Sequence, residues 1–107
     1  MKRISHYDWL DENLTTFLQN LGMSKDEAEW NRGLISAHGD KCYTYREQWQ
    51  KAGLAFEHGV AIYLLTYLQP WSKEIRETEN GWVAPVDWVM ENKDRFLKYL
   101  PPAMKGI

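Results

Sequence analysis

Glu57-His58 is the pair in this chain whose residue types come closest to acid–base chemistry, because a carboxylate near a buried imidazole is how many enzymes hold a general base. His58 shares a helical row with Leu54, Ala61, Ile62 and Leu65. Neighbouring residues on a helix point about 100° apart, so Glu57 cannot itself orient the ring. The reading this favours is a core or boundary histidine holding one hydrogen bond, with a small enzyme built on His58 as an alternative. His38, Asp40 and Cys42 form a second set, and with His58 or His6 their types suit zinc. They lack the CxxC or HxxxH spacing that places two ligands on one metal, and the segment reads equally as a helix boundary. No metal site and no cofactor is assigned. The seven glycines are scattered rather than gathered in a phosphate loop, and nothing in the sequence around Cys42 marks it as a thiolate. The expectation is that the chain is not an enzyme.

The segment from Leu14 to Leu34 reads as helix, Leu21-Gly22-Met23-Ser24, then helix, which superficially resembles the helix-turn-helix of DNA-binding regulators. Asn31 stands where the second helix would want an apolar anchor. The would-be recognition helix also opens with Asp26, Glu27 and Glu29, which Lys25 and Arg32 do not offset. Phosphate contacts dominate DNA affinity, so an ordinary helix pair is the better reading and a DNA-binding regulator stays an alternative.

Aromatic residues are the unusual feature of the composition, with six Trp and six Tyr. Aromatic and arginine side chains outside a core stripe are the material of interface hot spots. Tyr43, Trp49, Trp71, Trp82, Trp88, Arg95 and Tyr99 are the candidate partner-binding residues on that ground. The competing reading is that a small domain uses the same rings to fill its core.

The elements that must position these residues are helical. Leu10, Leu14, Phe17, Leu18 and Leu21 make an apolar stripe that Gly22 terminates. Ser24-Lys-Asp-Glu27 is a capping box opening a second helix that carries Ala28, Trp30, Leu34, Ile35 and Ala37 and stops near Gly39. Asp40 is a plausible N-cap for a long central helix, about 41–69, whose Tyr45–Leu68 stretch organises the rest. Its apolar residues Trp49, Ala52, Phe56, Val60, Tyr63, Leu64 and Tyr67 recur at three and four. Gly53 and Gly59 each cost a helix interior roughly 1 kcal/mol, which implies a close approach by a neighbour, or a kink at Gly59. The run Val60 to Leu68 is far shorter than the ~20 residues a membrane span needs.

Residues 70–85 read as an irregular connection. Ser72 could cap a helical turn through Ile75, or Asn80-Gly81 could turn a short hairpin with arms Glu74 to Glu79 and Trp82 to Ala84. A last helix follows over Val86 to Leu100, with a break near Asn92 as a variant. Pro101-Pro102 closes it, and Ala103 to Ile107 is expected to be loose.

With 107 residues the chain has room for one domain, 1–107, with an all-α bundle of four to five helices around the long central helix. A net charge of −2 lacks the positive balance that nucleic-acid binding draws on. A single cysteine and an N-terminus without an apolar signal region fit a cytoplasmic protein. The functional expectation is a non-enzymatic protein-interaction module, a small cytoplasmic regulator or inhibitor. It would bind a larger protein through an aromatic-rich surface, with self-association as a further outcome.

Overall fold

A computed structural model describes residues 13–33, 41–68, 71–77, 81 and 83–105. Those residues are helical, joined by short turns, and no strand occurs among them. The elements are α1 (13–20), α2 (Lys25–Arg32), α3 (Arg46–Lys51), α4 (Phe56–Leu64), α5 (Trp71–Arg76), α6 (Pro85–Leu97) and α7 (Pro102–Lys105). Short 3-10 turns, Tyr43–Tyr45 and Leu65–Tyr67, precede α3 and extend α4. No helix among the described residues is long and apolar enough to cross a membrane.

The core is one buried cluster to which every helix contributes. It takes Phe17 and Leu18 from α1, Ala28 from α2, Trp49 from α3, Ile75 from α5, Phe96 from α6 and Met104 from α7. At its centre is α4, with Val60, Ala61 and Ile62 wholly enclosed, packed chiefly on α6 and α3. The all-round apolar half of the central stretch is therefore interior, as a helix without a polar face must be.

The long helix over 41–69 is not continuous. Ala52 ends α3, Gly53 takes φ 81°, and Ala55 is extended before α4 begins. The Leu54 N–H bonds the Trp49 carbonyl at 2.9 Å and the Gly53 N–H bonds Gln50 at 3.0 Å, which together make a Schellman stop. Gly22, at φ 109°, ends α1 in the same way, with Met23 N–H to Leu18 O at 3.2 Å and Gly22 N–H to Gln19 O at 2.9 Å. The break lets α3 fold back on α4. A Cβ built on Gly59 would lie 2.3 Å from Trp49 Cε3, so the close approach inferred for the glycines is made by an indole ring on Gly59.

Three further expectations change. Of the expected first hairpin arm, Glu74 to Arg76 lie in α5, which extends the helical reading of Ser72 through Ile75: Ser72 and Ile75 point inward while Lys73, Glu74 and Arg76 stay exposed, a helical spacing, and Thr78 and Glu79 lie outside the described residues. Asn80 and Trp82 lie outside the described residues; Gly81 has the positive φ, 89°, that such a turn would use. The tail is also not loose through Lys105. Pro102 opens α7, where a residue without an N–H does no harm, and Met104 is fully buried. Asn92 lies inside α6, with its amide donating to the Trp88 carbonyl at 2.9 Å, and starts no new helix. Leu34 to Asp40, the end of the expected second helix and the N-cap after it, lie outside the described residues.

Candidate functional site

The candidate partner-binding residues divide into two aromatic groups. Tyr43 stacks on Phe56 with ring centroids 4.8 Å apart, and Trp49 meets Phe56, Tyr45 and Tyr63 at 6.2, 5.9 and 6.2 Å. Trp71 and Trp88 both pack on Phe96, at 5.9 and 5.5 Å, and the Arg95 guanidinium lies 5.1 Å from the same ring. Trp49 and Trp88 are core residues, completely buried and 2% exposed respectively. They leave the surface set, because the wide inner faces of α3 and α6 take them in. Tyr43, Trp71 and Tyr99 are half-buried at the edge of the core, Arg95 is exposed and paired with Glu74, and Trp82 lies outside the described residues. The Tyr99 carbonyl accepts from Asn20 Nδ2 at 2.8 Å, which ties the end of α6 to α1.

The residue that stands out on the surface is Trp30, 85% exposed. In the sequence it is one of the apolar residues carried by the second helix, with Ala28, and is not among the candidate partner-binding residues. Two positions along a helix turn the side chain through about 200°, so a buried Ala28 turns Trp30 outward, and that angle was the available signal.

Its helix is held firmly. Ser24 Oγ accepts from the Glu27 N–H and the Glu27 carboxylate accepts from the Ser24 N–H, each at 3.1 Å, the capping box read from the sequence. Those hydrogen bonds hold the Glu27 carboxyl below its ordinary value, so it is ionised at neutral pH. Asn31 is anchored on the Glu27 carbonyl at 2.9 Å and on Met23 Sδ at 3.7 Å, and Arg32 reaches back to Thr15 Oγ1 at 3.5 Å. Around Trp30, Asp26, Glu27 and Glu29 are exposed, with Lys25 the exposed cation of this helix. The result is a large apolar ring on a capped, acidic helix. As a DNA reader the same face would set three carboxylates against phosphates.

The residues considered for chemistry have structural surroundings. His58 is half-buried, and its Nε2 lies 2.8 Å from the Met104 carbonyl, joining α4 to α7. Burial pushes the Cys42 thiol up to about 12, so it is neither a nucleophile nor a ready metal ligand near pH 7. His6, His38 and Asp40 lie outside the described residues. Among the described residues no three metal-ligating side chains converge. Tyr63 is raised above its ordinary value, first by burial and then by its hydroxyl partner Tyr67 at 3.0 Å. Comparison with protein-family models, with curated proteins and with solved structures finds no match for this chain.

Proposed function

We propose that the chain is a non-enzymatic protein-interaction module, a small cytoplasmic regulator or inhibitor that covers part of a larger protein, with Trp30 as its anchor. The observation that carries this reading is the 85% exposure of Trp30 on a helix fixed by a complete capping box. An aromatic ring left in water forgoes about 25 cal/mol for each Å² it would bury, and Trp is the residue type most enriched among hot spots. Pre-fixed backbone lowers the ordering cost of binding. The carboxylates of Asp26, Glu27 and Glu29 around the ring favour a partner whose contact face is basic. A two-fold contact between copies would set these carboxylates against their own kind, so a different protein is favoured over self-association.

The test is affinity purification from the native host with the wild-type chain and with Trp30→Ser, each shown folded by circular dichroism. The expected result is a stoichiometric partner whose affinity falls about 30-fold or more in Trp30→Ser, the loss of a hot spot worth about 2 kcal/mol. It should weaken again as salt is raised. Equal recovery of the partner by both proteins would remove Trp30 from the interface.

A further inference from the structure

We propose that the cavity between the Leu65–Tyr67 turn, α5 and the start of α6 binds a small carboxylate, held by Arg76 and the Ser72 hydroxyl. The cavity has a volume of about 170 Å³ and is lined by Thr66, Tyr67, Ser72, Ile75, Arg76 and Pro85. That is room for more than one water in a pocket that opens to solvent on one side.

Two polar groups in this lining are open to the pocket and make no bond within the protein among the described residues. Ser72 is 5% exposed, and its hydroxyl makes no hydrogen bond among the described residues. The Ser72 hydroxyl is not among the buried side-chain atoms left without a partner, so it opens to the pocket, where it can turn its proton toward an acceptor. Arg76 is exposed at the rim of the pocket and makes no ion pair or hydrogen bond among the described residues, so its guanidinium is hydrated and available to an anion, although Glu77 follows it and Asp87 lies two residues beyond Pro85. By contrast, Thr66 already donates to the Tyr63 carbonyl at 2.7 Å, and the Tyr67 hydroxyl is 3.0 Å from that of Tyr63.

The lining thus offers one full positive charge, one free hydroxyl donor and no carboxylate. A guanidinium presents its N–H groups as a fork that matches a carboxylate in two parallel hydrogen bonds. A single cation balances a monoanion, whereas a phosphate dianion would keep a charge without compensation. Ile75 and Pro85 supply apolar wall for a short aliphatic substituent. A free short-chain acid and the C-terminus of a peptide share this chemistry.

The 107-residue chain, labelled with nitrogen-15, is titrated with sodium butyrate, with uncharged butyramide, with inorganic phosphate and with an acetylated peptide ending in Ala-Val. Saturable shifts at Thr66, Ser72, Ile75 and Arg76 are expected with a carboxylate, in the millimolar range that a few hydrogen bonds support. Arg76→Gln should weaken binding at least about tenfold and Ser72→Ala about fivefold, the sizes of a charge-assisted and a neutral hydrogen bond. Both variants should keep the remaining resonances in place. Tighter binding of the peptide assigns the carboxylate to a chain terminus, and tighter binding of butyrate assigns it to a free acid; either supports the site. Equal response to butyramide, tighter binding of phosphate, an unchanged affinity in Arg76→Gln, or no saturable shift would overturn the proposal.

Discussion

Trp49 packs against Gly59 so closely that no side chain fits at 59. The indole lies where any side chain at 59 would be, and its Nε1–H is buried without a hydrogen bond among the described residues. An unmade bond of that kind costs about 1–3 kcal/mol, a cost the ring must offset through burial against Tyr45, Phe56 and Tyr63. Gly59→Ala should therefore destabilise the fold by about 1–3 kcal/mol or more through overpacking, even though alanine is the better helix former by roughly 1 kcal/mol. Urea unfolding of Gly59→Ala, alone and combined with Trp49→Leu, measures this. The glycine substitution should cost less in the double variant, since the two sites touch. A more stable Gly59→Ala protein would contradict the packing described. Cys42 offers a second residue-scale prediction. Its unfolded thiol ionises near 9, while the folded thiol stays neutral to about 12, so unfolding releases a proton between those values. Its contribution to stability is complete below pH 9 and falls as pH rises toward 12. Denaturation from pH 8 to pH 10 should show a steeper loss in the wild type than in Cys42→Ala.

At the scale of elements, the positions of stops decide the fold more than helix propensity does. Gly22 and Gly53 are both positive-φ glycines followed by an apolar residue, Met23 and Leu54, and both close a helix through the same pair of hydrogen bonds. The first was legible because the apolar stripe before it ended at Leu21. The second was masked because the apolar spacing runs on through Phe56 and Val60 in helical register, and periodicity cannot report a turn that preserves it. Neither glycine has an atom within 4 Å of a built Cβ, so replacement meets backbone strain and no clash. Gly22→Ala and Gly53→Ala should each cost about 1–2 kcal/mol in thermal or urea unfolding, the penalty of a left-handed Cβ. The Ser24 capping box was legible outright, because its chemistry is local, and Ser24→Ala should cost about 1 kcal/mol. α5 was half legible. Its charged residues argued against a strand, but Ile75 and Ser72 gave too short a stripe to announce a helix.

For the whole molecule, the all-α class and the central place of α4 followed from apolar spacing alone, since burial of an all-round apolar helix requires surrounding helices. The distribution of aromatic rings did not. Sequence spacing cannot tell whether a tryptophan off the main stripe widens a buried face, as Trp88 does, or faces water, as Trp30 does. That depends on which neighbours arrive, which is long-range information. The C-terminal segment shows the same thing: Met104 fills the core and its carbonyl meets His58, a contact between residues 46 apart in the chain. The account as a whole rests on α2 being the face through which this protein meets a larger one. Hydrogen exchange of the free and partner-bound chain tests it most directly. The account predicts slowed exchange from Lys25 to Gly33 in the complex and its loss with Trp30→Ser. Protection confined to the Trp71, Arg95 and Tyr99 side, with α2 unchanged, would contradict it.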